Sequence, residues 1–193
     1  MVTDPAGRVA VVYKPATGAK VYHAGAKNLT PTGDAPLDVE IEEAPPVPAK
    51  GSGVVPADAI HVWTDGGCVP NPGPAGIGVV VIDGVKKDRR ELSEYLGHGT
   101  NNIAELTAIV RGLEVAREIG KDRTVVVYSD SQYAIGLLTQ NWKAKVNVEL
   151  VAELRGLLKQ FSEVRFVKVA AHTGIALNER VDELATAAIQ RGV

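Results

Sequence analysis

Residues 124–128 read TVVVY. No polar residue alternates with the valines, so neither face of such a strand can be given to water. A strand buried on both faces needs a sheet covered on both sides, which points to an α/β architecture. The sequence around it supplies the other parts. Residues 60–64 (IHVWT), 76–82 and 89–96 read as three strands, with a Gly/Pro loop over 65–75 (DGGCVPNPGPA). A helix follows with Asn101 or Asn102 as its expected N-cap, and Leu106, Ile109, Val110 and Leu113 recur on one face. After TVVVY, a short helix is expected from about Ser131, a second over 148–160 and a last strand over 164–169. A closing helix carries Val181, Leu184, Ala185 and Ala188 on one face. The order βββαβααβα predicts a five-stranded mixed sheet flanked by helices. Three strands are antiparallel, and crossovers then lead to two parallel ones.

The N-terminal part is different. Residues 8–14 (RVAVVYK) read as a strand, 15–18 (PATG) as a turn and 20–24 as a returning strand. Residues 37–41 (LDVEI) alternate apolar and acidic side chains as a half-exposed strand does. The stretch 45–53 (PPVPAKGSG) reads as a linker. The expected division is a small β-rich extension over 1–44, a linker over 45–58 and a main domain over 59–193. The extension is too small to bury a good core alone. It is expected to lean on the main domain or on a second chain.

No run of 18 apolar residues is present, and the first 25 residues lack a basic start followed by a long apolar stretch. No membrane span and no secretory signal are expected. The single cysteine, Cys68, has no internal disulfide partner, so a reducing cytoplasm is the expected setting. The net charge of −2 does not advertise a nucleic-acid binder. From Ala59 onward, however, 16 basic residues face 16 acidic ones. If four of those acids share one metal site, the remaining surface is positive, the right sign for a phosphate backbone.

The four acids in question are Asp65, Glu105, Asp130 and Asp182. Asp65 follows the first strand of the domain and Asp130 follows TVVVY. In open α/β sheets, ligands gather outside the carboxyl ends of strands. Glu105 is expected in the first turn of its helix, and Asp182 near the start of the last one. Each alone has an ordinary explanation, as a turn former, a complement to a helix dipole or a surface charge. Together they form a candidate site. Carboxylates so gathered repel one another, and a divalent cation relieves that repulsion. All-oxygen ligands favour Mg²⁺ or Mn²⁺, and four carboxylates suffice for two ions in a clamp for in-line phosphoryl displacement.

Four pieces carry a family resemblance: TDGGCVPNPGPAGIG (64–78), TNNIAEL (100–106), YSDSQYAI (128–135) and AHTGIALNERVDELA (171–185). In these motifs, their order and their spacing, the chain from residue 60 on resembles the type 1 branch of the ribonuclease H family. The resemblance implies a metal-dependent endonuclease that cuts the RNA strand of RNA–DNA hybrids, leaving 3′-hydroxyl and 5′-phosphate ends. It implies that Asp65, Glu105, Asp130 and Asp182 hold the metal ions. His172 matches a loop histidine associated with proton handling or product departure, and Asn178 a loop asparagine four residues before the last acid. Cys68, Asn71, Asn102, Glu105 and Gln132 fall where the family reads RNA 2′-hydroxyls, and Thr100 and Asn101 near its DNA-phosphate pocket. Amide groups suit a 2′-hydroxyl because they both donate and accept.

Two departures from the family pattern stand out. Where some bacterial members insert a basic protrusion between the two middle helices, this chain has only NWKAKVN (141–147). Trp142, with Lys143 and Lys145, is the expected remnant of a DNA-strand contact. Residues 1–58, with five basic and seven acidic side chains, do not resemble the compact hybrid-binding module of some relatives. Two rivals remain: a resolvase- or integrase-like enzyme on the same fold, and a non-catalytic hybrid-binding module.

Overall fold

The computed structural model describes residues 8–12, 21–25, 54–140, 142–170 and 175–192, the first two stretches by backbone alone. In the N-terminal part, β1 (Arg8–Val12) and β2 (Val21–Gly25) pair antiparallel, from Arg8↔Gly25 to Val12↔Val21. The turn expected at 15–18, the alternating stretch at 37–41 and the linker at 45–53 lie outside the described residues.

The main sheet has the order β5-β4-β3-β6-β7. β3 (Ile60–Cys68), β4 (Gly73–Asp83) and β5 (Arg89–Gly99) form an antiparallel meander. β6 (Thr124–Ser129) joins β3 in parallel, and β7 (Glu163–Lys168) joins β6 the same way. This is the mixed sheet that the element order predicts. Val125, Val126 and Val127 of the central strand are wholly buried, as the unbroken valine run requires.

Helix α1 (Asn101–Gly120) lays Leu106, Ile109 and Leu113 on one face of the sheet, against Ile60, Val62, Val79, Val81, Val125 and Val127. Its Gly112 sits directly on β3, since a Cβ there would lie 2.4 Å from Val62 Cγ1. α2 (Gln132–Thr139) follows β6, and α3 (Val148–Leu158) adds Val151, Leu154 and Leu157 to the same core. α4 (Ala176–Gly192) covers the opposite face over β4, with Val181, Ala185 and Ala188 buried. Each fully buried Val, Leu or Ile contributes roughly 1.5–3 kcal/mol, most of it offset by the entropy of ordering the chain.

Several boundaries differ from the sequence reading, three of them at the site. β3 does not stop at Thr64 but runs through Asp65-Gly66-Gly67-Cys68, because β4 continues to pair with it as far as Cys68↔Ala75. The Gly/Pro loop shrinks to residues 69–72. β5 likewise extends to Gly99 across a bulge opposite Ala75 and Gly76, beside which Gly97 takes φ +79°. Finally, the N-cap of α1 is Thr100, not Asn101 or Asn102; its Oγ1 accepts the Ile103 N–H at 3.3 Å. Glu105 is therefore the fifth helical residue, one or two positions deeper than expected and just past the first turn.

Candidate active site

Three close backbone approaches gather the four acids. The first is strand register. Parallel pairing of β3 with β6 ends at Trp63↔Tyr128. Two residues further on, the same register sets Asp65 beside Asp130, on the same face as the aromatic pair. Asp65 thus lies inside β3 but beyond the end of its pairing with β6, at an opening in the sheet. The second approach is at Gly66, where a Cβ would meet the Ala104 carbonyl at 2.4–2.6 Å and the Glu105 nitrogen at 2.6 Å. Only glycine lets α1 come this near, and the contact brings Glu105 alongside Asp65. The third is at Gly78, the antiparallel partner of Asp65. A Cβ at Gly78 would come within 1.9 Å of the Val181 carbonyl, so α4 delivers Asp182 to the same place.

The floor beneath the acids is apolar. Trp63 and Tyr128 stack at 4.2 Å with ring planes 8° apart, and each is 2% exposed. Water is excluded below Asp65, and the electrostatics follow. Burial, then the charges of Asp130, Asp182 and Glu105, push the Asp65 carboxyl up to about 6, against the pull of a backbone hydrogen bond from Gly66. Burial also raises Glu105, with Asp130 adding to it, while a hydrogen bond from Ser131 draws it back.

No three acidic, histidine or cysteine side chains among the described residues stand as a ready metal-holding group. The carboxylates are near enough to raise the Asp65 pKa but not drawn onto one point. The donor set nevertheless suits a hard divalent cation. It is all oxygen, anionic and half-buried over an apolar floor. A cation brought to such a cluster would neutralise the neighbouring charges and offset the cost of burying an ionised Asp65.

A polar rim stands beside the acids. The Cys68 amide donates to Asn101 Oδ1 at 2.8 Å, and the Cys68 thiol lies 3.2 Å from Asn101 Oδ1 and 3.3 Å from Asn71 Oδ1. The Asn101 amide donates to Asn71 Oδ1 at 3.4 Å. This knot ties the end of β3, the Gly/Pro loop and the start of α1 together, with Thr100 as the cap. It engages the carbonyl oxygens of both asparagines. Asn102 is half-buried in the first turn of α1, and Gln132 is exposed at the start of α2, where Lys168 Nζ donates to its Oε1 at 3.2 Å.

Trp142 lies against α2 at Gly136, where a Cβ would meet its ring at 2.5–2.6 Å; the residue remains 42% exposed. Asn178 differs from expectation. It is buried in the first turn of α4 rather than in a loop, because that helix begins at Ala176. His172 lies outside the described residues.

Sequence reasoning missed Ser131 and the aromatic floor. Ser131 read only as a helix start, yet its hydroxyl also donates to Glu105 Oε2. Trp63 and Tyr128 read only as strand residues. Their spacing of two from Asp65 and Asp130 was the available signal, since residues two apart on a strand share a face.

Comparison with known proteins agrees with this picture. Residues 57–190 match the model of the RNase H family. A ribonuclease H from Desulforamulus reducens is 37% identical over 146 residues, covering 68% of this chain and 88% of that protein. RNase H1 of the halophilic archaeon Halobacterium salinarum superposes with a TM-score of 0.61 at 32% identity, covering 69% of this chain and 98% of the other. LC11-RNase H1, solved in complex with an RNA/DNA hybrid, superposes with a TM-score of 0.61 at 34% identity, again covering 69% and 98%.

Proposed function

The chain belongs to the ribonuclease H family, and from that premise we propose that it hydrolyses the RNA strand of RNA–DNA hybrids internally, leaving 3′-hydroxyl and 5′-phosphate ends. The observation that carries this reading is the convergence of Asp65, Glu105, Asp130 and Asp182, set by the strand register and by the close backbone approaches at Gly66 and Gly78. Asp65, Glu105, Asp130 and Asp182 would hold two divalent cations, Mg²⁺ or Mn²⁺, which supply activation of the attacking water and charge stabilisation at the departing 3′-oxygen.

The protein's own part is positioning. The cluster of Cys68, Asn71, Asn102 and Gln132 would face successive 2′-hydroxyls of the RNA strand, together with Glu105. In Asn71 the side-chain oxygen is already engaged, which leaves the amide nitrogen as the group to offer. Thr100 and Asn101 would take a phosphate of the DNA strand at the start of α1, where backbone N–H groups and the helix dipole favour an anion. The exposed side of Trp142 would stack on that strand. His172 would carry a proton during turnover or product departure, and the buried Asn178 would fix the start of α4 that presents Asp182. A reducing cytoplasm suits a chain with one unpaired cysteine.

The test is cleavage of a labelled hybrid, with duplex DNA and duplex RNA alongside, each with and without Mg²⁺ or Mn²⁺. Cation-dependent cuts in the RNA of the hybrid alone are expected, and a strand carrying a single ribonucleotide should be cut poorly. Cleavage of duplex DNA at a comparable rate would favour a resolvase- or integrase-like enzyme. Hybrid binding without cleavage would favour a binding module.

A further inference from the structure

We infer that Ser131 is a positioning residue for the site: its hydroxyl holds the Glu105 carboxylate by one oxygen and leaves the other free for a cation. The inference rests on reading those acids as a cation site.

Ser131 sits between β6 and α2 and is buried. Its backbone N–H donates to the hydroxyl of Ser129, itself buried, at 3.2 Å. Its own hydroxyl accepts the Ala134 N–H at 3.1 Å, which caps α2. A serine hydroxyl has two lone pairs and one proton. Capping uses a lone pair, so the proton stays available, and it goes to Glu105 Oε2. Accepting a hydrogen bond polarises the O–H and strengthens the one it donates. One hydroxyl thus couples the start of α2 to the second turn of α1.

The residue type follows from this double duty. Asp, Asn, Ser, Thr and Gly all start helices well. Asp would set a further negative charge against Glu105, and Gly would offer nothing. Only a hydroxyl both caps through a lone pair and gives a proton without adding charge or bulk. Asp130, the neighbouring residue, is itself one of the four acids. The same turn therefore presents one carboxylate from its backbone and orients another through its side chain. Such outer contacts set the orientation of metal ligands, and their loss typically weakens metal binding by about 10–100-fold.

The experiment uses the full chain with Ser131→Gly and Ser131→Thr. Glycine keeps the helix start at little cost but removes the donor, whereas threonine keeps both. Three readouts are taken: Mg²⁺ and Mn²⁺ binding to the substrate-free protein by calorimetry, the melting temperature, and kcat and KM on hybrid. For Ser131→Gly, metal binding about tenfold weaker is expected, with kcat recovering at high Mg²⁺. Ser131→Thr should stay close to the wild type in all three. Wild-type metal affinity in a folded Ser131→Gly protein would overturn the inference, as would a Ser131→Thr protein as weak as Ser131→Gly. If the wild-type protein binds Mg²⁺ but leaves hybrid intact, the proposed activity fails while the calorimetry still decides the role of Ser131.

Discussion

Gly78 on β4 and Val181 on α4 are in direct backbone contact, so close that a Cβ at residue 78 would lie 1.9 Å from the Val181 carbonyl oxygen. Gly78 is the register partner of Asp65, and Val181 precedes Asp182. One close approach therefore sets the spacing of two acids on different elements.

Gly78→Ala must push α4 away, because the obstacle is backbone and cannot swing aside. Overpacking of this kind costs about 1–3 kcal/mol or more, and cleavage should fall at least tenfold as Asp182 leaves its place. Gly67→Ala is the control, since nothing lies within 4 Å of a Cβ there. It should melt like the wild type. Full activity in a folded Gly78→Ala protein would show that the α4 contact does not position Asp182.

Asp65→Asn should separate stability from activity. With its folded-state pKa raised from 3.8 to about 6, Asp65 prefers to be protonated in the folded protein. Its contribution is complete below pH 4 and is lost as pH rises through 6. Without added divalent cations, the ionised side chain costs up to about 3 kcal/mol at pH 7. Asp65→Asn should thus melt higher than the wild type at pH 7 and show no advantage at pH 4, while cleavage is abolished. Mg²⁺ should stabilise the wild type more at pH 7 than at pH 5. The wild-type-minus-mutant melting curve against pH isolates this group from the other acids, and a flat difference would contradict the assignment.

Far from the acids, Asp83 predicts the opposite pH dependence. It accepts hydrogen bonds from Arg123 Nη2 at 2.8 Å, the Val85 N–H at 2.8 Å and the Lys86 N–H at 3.2 Å. Arg123, and next the Val85 amide, hold its carboxyl well below the usual range. A depressed carboxylate contributes stability above pH 4 that is lost only in strong acid. Arg123→Ala should lower the melting temperature by several degrees at pH 7, and that gap should narrow as pH falls below the usual carboxylate range, leaving the part due to the lost bond to the Asp58 carbonyl. Cleavage below the melting temperature should be unchanged. A loss of activity in the folded mutant would mean that this ion pair reaches the site.

Much of this was legible in the chain. The valine run fixed the central strand, and the apolar spacing of α1 its buried face. Four acids at element junctions marked the site. The boundaries were less legible because they depend on partners far away in sequence. β3 continues through two glycines only because β4 pairs with it, and nothing local in DGGC signals a strand. Thr100 takes the cap from Asn101, whose side-chain oxygen is committed to Cys68. The second duty of Ser131 appears only once α1 and α2 are side by side. The glycines at 66 and 78 read as loop and strand residues, and only the packed helices reveal why no side chain fits there.

Residues 1–53 should be dispensable for chemistry, since all four acids and every proposed sugar contact lie after Ile60. The cut belongs before Val54, whose carbonyl accepts from Arg165 Nη1 at 3.1 Å. Beyond it, the Pro56 carbonyl accepts the Ala59 N–H at 3.0 Å and the Asp58 carbonyl accepts from Arg123 Nε at 2.8 Å. Removing these would injure the main domain itself. A chain beginning at Val54 should therefore keep its kcat on hybrid. Its KM should also hold, because residues 1–53 carry six acidic side chains against five basic ones and offer little to a phosphate backbone. The comparison is KM for the full and shortened chains at equal salt. A rise of tenfold, about 1.4 kcal/mol, would show that the N-terminal part binds substrate after all. A fall in KM would show instead that its acidic side chains repel the hybrid from the site.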